Sequence, residues 1–206
     1  SLARDGNEMQ KVLAAGALWS LSKNADNDAA IAAAGGIEVF MSLARDGNER
    51  QKEYAAGALA NISVNADNQG AIAAAGGIEV LVSLARDGNE GQKENAAGAL
   101  WNLSDNDDNS VAIAAAGGVE VLISLARDGN EGQKEEAAGA LWNLAYNDDN
   151  KAAIVAGGGI ELFVAMARDG NERQKERAAG ALWNLAYNDD NNERRQQGGD
   201  CCGRRS

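Results

Sequence analysis

The chain has 206 residues, of which 45% are apolar and 24% are charged, and this balance is typical of a folded domain. Its formal net charge of −12 argues against binding to nucleic acid or to an anionic membrane, because Lys and Arg side chains make such contacts; it favours a neutral or basic partner. Histidine is absent, which excludes a histidine-based catalytic triad and a histidine metal site.

An octapeptide opens the chain and then returns at a constant interval. Ser-Leu-Ala-Arg-Asp-Gly-Asn-Glu begins at Ser1, Ser42, Ser83 and Ser124, and a close variant begins at Ala165, so the period is 41 residues. A period of this length indicates a helical solenoid. Because the chain begins inside a repeat and without Met, we expect it to be a fragment of a longer protein.

Each period is predicted to contain three helices, and the third copy illustrates the first two. A short helix is expected over 110–116, because the Asp-Asn pair at 108–109 can cap its start. The Gly-Gly pair at 117–118 ends that helix and permits a sharp turn. A second helix is then expected from about 119 to 127.

The third helix of each copy is the longest. Asn130 is placed to cap it, with Gln133 as the capping-box partner three residues later. At about 100° per residue, Ala137 and Leu144 fall on the same face as Leu141, and this face is predicted to be the core. The opposite face contains Gly132, Glu136, Gly139, Asn143 and Tyr146.

These third helices resemble those of the armadillo repeat family. The resemblance rests on the Asn-Glu helix starts, on Ala-Gly-Ala-Leu-Trp-Asn-Leu-Ser over 97–104, on the Asp-Asn pair at 108–109 and on Ala-Ala-Ala-Gly-Gly over 114–118. It implies an all-α fold, a right-handed superhelical solenoid of three-helix armadillo repeats, in which the third helices line a concave groove. Because Gly98 and its counterparts stand where importin-α has a Trp, the chain resembles β-catenin and plant-type members more closely, and binding of nuclear localisation signals is not expected.

The resemblance also implies where the repeats begin and end. We expect a partial repeat over 1–25, full repeats over 26–66, 67–107, 108–148 and 149–189, and a polar cap with a disordered tail over 190–206. Cys201 and Cys202 lie in that tail and are too few for a zinc site. Since no signal peptide or long apolar run is present, a cytoplasmic or nuclear location is expected.

One column of the predicted groove face is nearly constant and contains an asparagine in every full repeat. The candidate peptide-backbone-binding residues are Asn61, Asn102, Asn143 and Asn184. A primary amide offers a donor and an acceptor together, so it can bind both the N–H and the C=O of one peptide unit. The resemblance implies this role, and the alternative is an amide that caps neighbouring backbone or contacts only water.

A second column contains tryptophan in all copies except one. Its members are Trp19, Trp101, Trp142 and Trp183. They are expected to pack between repeats, to form the rim of side-chain pockets together with Tyr54, Tyr146 and Tyr187, or to do both. A mid-helix glycine costs roughly 1 kcal/mol relative to alanine, and close approach of an indole ring or of the partner's backbone would explain the glycine column. The second repeat has Ala60 instead of Trp, which allows either looser packing or a larger pocket there.

Most of the residues expected to set specificity lie in columns that vary between copies, whereas two of them belong to a column that is Glu in every full repeat. The varying ones are Arg50, Asn95, Asp105, Glu136, Arg173 and Arg177, and the constant ones are Glu94 and Glu135. The acidic members lie in the middle of the groove, and Arg173 and Arg177 lie towards its C-terminal end. Since armadillo ligands typically run antiparallel to the repeats, the resemblance implies a peptide with a basic centre and an acidic N-terminal end. A face that is merely solvated would vary in the same way.

The predicted function is that of a scaffold for protein–protein interaction, which binds an extended peptide segment of a partner protein. The alternative is a structural module that forms a homodimer through its open N-terminal end, where Met9, Val12 and Leu13 form an apolar cluster. We expect no enzyme, no catalytic residue, no cofactor and no metal, because acidic pairs such as the one at Asp149 recur in every copy as caps and loop residues.

Overall fold

The structure is a computed structural model that describes residues 6–187. The predicted cap and tail over 190–206, including Cys201 and Cys202, lie outside the described residues. Between residues 6 and 187 the chain forms thirteen α-helices and no strand. The predicted all-α solenoid of three-helix repeats is therefore confirmed.

The helices follow one another in the order first, second and third helix of each repeat. The first helices are α2 (Asp28–Ala33), α5 (Ala66–Ala74), α8 (Asp107–Ala115) and α11 (Asp148–Ala156). The second helices are α3 (Gly36–Asp46), α6 (Gly77–Asp87), α9 (Gly118–Asp128) and α12 (Gly159–Asp169). The third helices are α1 (Glu8–Leu21), α4 (Glu49–Ile62), α7 (Glu90–Leu103), α10 (Glu131–Leu144) and α13 (Glu172–Ala186). A 3-10 turn over Ala25–Asn27 precedes α2.

Every third helix begins with the predicted capping box. The side chain of Asn130 accepts a hydrogen bond from the backbone N–H of Gln133 at 2.8 Å, and the backbone N–H of Asn130 donates to Gln133 Oε1 at 3.2 Å. The same glutamine also holds neighbouring repeats together, because its Nε2 donates to the backbone oxygen of Glu90 at 3.0 Å. One residue thus fixes both the start of a helix and its register against the preceding repeat.

The turn between the first and second helices requires both of its glycines. Gly117 has φ +76°, a left-handed conformation that side chains disfavour. At Gly118 a Cβ would lie 2.6 Å from Ile113 Cγ2, so a side chain there would collide with the first helix. The predicted turn at 117–118 is confirmed, and it recurs in each full repeat.

The first helix of the third full repeat begins earlier than predicted. It starts at Asp107, because Asn106 is its N-cap and accepts a hydrogen bond from the backbone N–H of Asn109 at 3.1 Å. The prediction that the pair at 108–109 caps the helix was wrong, since both residues lie within its first turn. The second helix differs from its prediction by one residue at each end and covers Gly118–Asp128.

The core lies between the second helices and the stacked third helices. In α10, Ala137, Ala138, Leu141 and Leu144 are each 0% exposed, which confirms the predicted core face. Each third helix contacts the next one along the chain, so α1, α4, α7, α10 and α13 form a continuous stack. Alanine on these faces lets successive third helices approach closely, and this stack positions the candidate site.

Candidate functional site

The tryptophan column packs between successive third helices. A Cβ at Gly57 would lie 2.6 Å from Trp19 Nε1, and a Cβ at Gly139 would lie 2.9 Å from Trp101 Cδ2. The indole of one repeat therefore lies directly on the glycine of the next repeat and excludes any side chain there. This contact explains the mid-helix glycines at Gly57, Gly139 and Gly180, each of which is unfavourable by itself and lies under the indole of the preceding repeat.

The glycine column is consequently not part of an open groove surface. Gly57, Gly98 and Gly139 are buried, although the helical wheel placed this column opposite the core. The wheel shows only which residues of a helix share a face; it does not show how far a side chain of the preceding helix reaches across that face.

The asparagine column connects each third helix to the end of the preceding one. Asn102 Nδ2 donates to the backbone oxygen of Ala60 at 2.9 Å and to Ser63 Oγ at 3.3 Å. Asn184 Nδ2 donates to the backbone oxygen of Trp142 at 3.1 Å, and Asn61 Nδ2 donates to Ser22 Oγ at 3.0 Å. The bonds of Asn102 and Asn184 to backbone oxygens correspond to the backbone-capping alternative for this column, whereas Asn61 donates to a side chain.

The same asparagines keep an acceptor. Asn143 Nδ2 donates to Asp105 Oδ1 at 2.6 Å and to the backbone oxygen of Trp101 at 3.5 Å. Within residues 6–187, the Oδ1 atoms of Asn102 and Asn143 accept no hydrogen bond, and both residues are half-buried. Each can therefore accept a hydrogen bond from a peptide N–H, whereas binding the peptide C=O as well requires the amide to share its donors. Asn184 is the most buried of the four, at 7% exposed.

A cavity of about 730 Å³ opens at the C-terminal end of the stack of third helices. It brings together five of the predicted site residues, namely Trp142, Tyr146, Trp183, Asn184 and Tyr187. Trp183 is 73% exposed and Tyr146 is 66% exposed, so aromatic surface faces the solvent here. Aromatic side chains with a polar atom beside them are well suited to packing against a ligand side chain.

Sequence reasoning missed Lys151, which also lines this cavity. Its Nζ donates to Asp148 Oδ1 at 2.6 Å and to the backbone oxygen of Tyr187 at 2.9 Å, so it joins α11 to the end of α13. The signal was present in the sequence, because the corresponding position contains Asp28, Gln69 and Ser110 in the other repeats. This is another column that varies between copies, and it lies on the first helix, outside the helices that the prediction considered.

Several of the predicted specificity residues bind one another. Arg173 Nη1 donates to Glu135 Oε1 at 2.8 Å, which neutralises part of the acidic centre. The guanidinium of Arg177 lies 4.0 Å from the centre of the Trp101 ring, a cation–π contact that reaches across two repeats. The structure therefore brings the C-terminal arginines close to the acidic centre, although they were expected to form a separate region of charge.

The remaining members of that set also have partners within the stack. Arg50 Nε donates to Tyr54 Oη at 3.0 Å, and Asn95 Nδ2 donates to the backbone oxygen of Glu53 at 3.4 Å. The carboxylate of Glu94 lies against the backbone of Gly132, where a Cβ would be 2.7 Å from either oxygen.

Glu136 occupies the place in the stack where the tryptophan column is interrupted. Ala60 has no indole to cover Gly98, and the Glu136 carboxylate lies there instead, with Oε2 3.3 Å from the position of a Gly98 Cβ. Gly98 is still buried, so the glycine that an indole would cover is not left open to solvent. The space is filled by an acidic group from the following repeat.

Burial and neighbouring charges make Glu136 difficult to ionise. Its pKa is raised from 4.5 to about 7, chiefly by burial and also by the carboxylates of Glu135 and Glu94, while Arg177 and Arg173 act in the opposite direction. A ligand cation close to this carboxylate would favour the ionised form of Glu136, because a nearby opposite charge stabilises the charged state.

In the part of the chain that the structure describes, no group of three or more His, Cys, Asp or Glu side chains could hold a metal ion. No single helix between residues 6 and 187 is long and apolar enough to cross a membrane; two helix pairs reach that length and hydropathy only when joined across bends of 84° and 78°.

Comparison with protein families assigns this architecture. A model described as the armadillo/β-catenin-like repeat matches residues 24–64, 65–105, 106–146 and 147–187. The chain belongs to the armadillo repeat family. The matched repeats begin two residues before the ranges expected from the sequence, because the family model places each repeat boundary in the loop after a third helix. A comparison with curated protein sequences finds no match.

Solved structures with the same fold include engineered proteins and designed armadillo repeat proteins. An engineered protein is 35% identical to this chain with a TM-score of 0.83, and the match covers 90% of this chain and 76% of the other. A designed armadillo repeat protein in complex with the peptide (KR)4 is 25% identical with a TM-score of 0.81, covering 89% and 79%. A structure of the cadherin and β-catenin interaction is 20% identical with a TM-score of 0.82, covering 90% and 35%, and that match shows the fold alone.

Proposed function

We propose that this armadillo repeat protein is a non-enzymatic scaffold that binds an extended peptide segment of a partner protein along its stacked third helices. The observation that carries the proposal is the cavity of about 730 Å³, where exposed aromatic side chains converge on Asn184. Asn143 and Asn102, on the preceding third helices, keep Oδ1 atoms that are available as acceptors. The related designed protein in complex with the peptide (KR)4 supports the same use of the fold.

The hydrogen bonds of the asparagines give modest affinity. Each amide already donates to the preceding repeat, so a peptide gains chiefly the bond from its N–H to Oδ1, at about 0.5–1.5 kcal/mol each. Ordering an extended peptide costs several kcal/mol, so side-chain pockets and charges have to supply the remainder. We therefore expect dissociation constants on the order of micromolar.

The ligand proposed for this surface is basic at its centre and acidic at its N-terminal end. Glu94 and Glu136 carry the preference for a basic centre, because Glu135 is already bound to Arg173. Arg173 and Arg177 carry the preference for an acidic end, since both lie on α13, the last third helix among the described residues. A partner of this kind in the cytoplasm or the nucleus fits the acidic balance of the chain.

Fluorescence anisotropy of labelled (KR)4, with labelled (DE)4 for comparison, tests the proposal. The Asn102→Ala and Asn143→Ala double variant should weaken every peptide that binds by a similar factor, about tenfold, because the amides contact backbone. Glu136→Lys should weaken (KR)4 alone. If neither peptide binds, a basic or acidic ligand is excluded; if (KR)4 binds and the double variant binds it equally well, the site lies elsewhere.

Self-association through the N-terminal end is the second candidate function. It is favoured by the exposure of Met9 and Leu13, at 67% and 65%, on the open side of α1. Val12 is half-buried and contributes less surface. In that case Leu13→Glu alone should abolish dimers while leaving the circular dichroism spectrum unchanged.

A further inference from the structure

The indole of Trp101 is occupied on both of its faces. A Cβ at Gly139 would lie 2.9 Å from Cδ2 and also 2.9 Å from Cε2, the two atoms that the fused rings share, so this glycine backs one face of the ring. The other face holds a cation, because the guanidinium carbon of Arg177 lies 4.0 Å from the ring centre. The indole therefore lies between the glycine of the next third helix and an arginine of the third helix after that.

A second indole of the stack also holds a cation that the chain itself supplies. Lys23 Nζ lies 4.0 Å from the centre of the Trp19 ring, and Lys23 follows the end of α1 instead of belonging to a later helix. The two cations thus reach equivalent indoles from different directions. This recurrence indicates that the indole faces of the tryptophan column attract positive charge, as the electron-rich face of an aromatic ring does.

Aromatic rings hold the Arg177 side chain in place. Within residues 6–187 its guanidinium forms no salt bridge, and its Nε is buried without a hydrogen-bond partner. Arg173 on the same helix differs, because its Nη1 donates to Glu135 Oε1 at 2.8 Å. A second ring, that of Trp142, lies 5.9 Å from the Arg177 guanidinium carbon. Since no carboxylate binds Arg177, another cation can compete with it for the Trp101 face.

The residue that corresponds to Arg177 one repeat earlier meets no indole. That residue is Glu136, and its carboxylate lies against Gly98, because Ala60 stands in the tryptophan column there. The position along the stack therefore decides what a basic side chain of a ligand meets. Beside Gly98 it meets a carboxylate, whereas at Trp101 it meets a site that already contains a cation.

We propose that Arg177 is an internal competitor of basic ligands: its guanidinium occupies the face of Trp101 in the free protein, and a lysine or arginine side chain of a bound peptide must displace it to reach that face. This inference rests on the proposed binding of a basic peptide. When only the molecules with a free indole can bind at this point, the apparent dissociation constant rises by the reciprocal of their fraction. Removing the competitor therefore strengthens the binding of basic peptides.

Fluorescence anisotropy of labelled (KR)4 tests this proposal with the Arg177→Gln variant, which removes the cation and keeps a polar side chain. Its dissociation constant should be about three- to tenfold lower than that of the wild type. Arg50→Gln is the matched control, because Arg50 is also an arginine of a third helix but lies beside the Tyr54 ring, 5.6 Å from its centre. This control should change the dissociation constant by about twofold at most, which is the effect of one exposed charge.

The Trp101→Leu background separates displacement from simple charge repulsion. Leucine keeps an apolar side chain against Gly139 but has no aromatic face, so Arg177→Gln should strengthen binding there no more than Arg50→Gln does. An equal gain with and without the indole would overturn the proposal. Circular dichroism verifies that each variant is folded.

Nuclear magnetic resonance without peptide tests the contact itself, independently of that background. Arg177→Gln should shift the indole N–H signal of Trp101 and leave that of Trp19 in place, and an unmoved Trp101 signal would overturn the proposal.

The binding outcomes distinguish this proposal from the proposed function. If (KR)4 binds the wild type and Arg177→Gln equally well, the peptide site stands and the competitor is refuted. If (KR)4 binds neither protein, the basic ligand and the competitor are both refuted. Binding to Arg177→Gln that is tighter than binding to the wild type, with the gain lost in the Trp101→Leu background, supports both.

Discussion

Replacing Glu136 by Gln should stabilise the protein at alkaline pH and have little effect at acidic pH. Burial, together with the neighbouring carboxylates of Glu135 and Glu94, raises the pKa of Glu136 from 4.5 to about 7, so the folded state favours the protonated carboxyl. A pKa that is higher in the folded state gives stability that is complete below the pKa of the unfolded chain and is lost as the pH rises through the folded value. The loss therefore occurs between about pH 4.5 and about pH 7.

The size of the effect follows from the same pKa. One unit of pKa shift corresponds to about 1.4 kcal/mol, so this shift would lower the free energy of unfolding by roughly 3 kcal/mol if the carboxyl were fully buried. Glu136 is half-buried, so solvent screening reduces this to on the order of 1–2 kcal/mol. Glutamine has nearly the same shape and does not ionise, so the variant avoids this loss. It should unfold at higher urea concentration than the wild type at pH 8 and at a similar concentration at pH 5.

Urea unfolding followed by tryptophan fluorescence at pH 5, 6, 7 and 8 measures the difference between the two proteins. Asn95→Ala is the matched control, because Asn95 occupies the corresponding position one repeat earlier and neither side chain titrates. The difference in the free energy of unfolding between Asn95→Ala and the wild type should be the same at every pH. If the difference between the Glu136→Gln variant and the wild type were equally independent of pH, the placement of this carboxylate against Gly98 would be refuted.

Further predictions concern the junctions between repeats. Gly139→Ala should lower the free energy of unfolding by about 1–3 kcal/mol, because a Cβ there would lie 2.9 Å from Trp101. Gly70→Ala is the control and should raise that free energy by about 0.5–1 kcal/mol, because nothing lies within 4 Å of the added Cβ. Equal effects of the two variants in urea titrations would contradict the indole contact. Gln133→Ala should cost about 1–3 kcal/mol in the same assay, because it removes a helix cap and the bond to the Glu90 backbone together. A loss as small as that of an exposed helical residue would show that this bond contributes nothing to the junction.

The parts of the fold that depend on neighbours in sequence could be predicted from the sequence. The period, the three helices, the Asn130 and Gln133 capping box and the turn at Gly117 depend on residues a few positions apart. The start of the short helix was misplaced because Asn106 and Asn109 are both plausible caps by residue type. Only the backbone geometry distinguishes them.

The site was predicted less completely, because it depends on distances between repeats. The helical wheel placed the asparagines and the glycines on one face, but the reach of the Trp101 indole buries Gly139 and leaves Asn143 half-exposed. The pairing of Glu135 with Arg173 joins residues 38 positions apart on different helices. No spacing within one copy reveals it. The exception at Ala60 was visible in the sequence, but the residue that fills the space was not.

The most direct test of peptide binding on the stacked third helices is a titration followed by nuclear magnetic resonance. The chain has four tryptophans, so the indole N–H signals report on each third helix that carries one. Addition of (KR)4 should shift the indole signals of Trp142 and Trp183 and the side-chain amide signals of Asn102 and Asn143, while backbone signals from the first helices stay in place. Shifts confined to the first and second helices, with the indole and asparagine signals unchanged, would contradict the account.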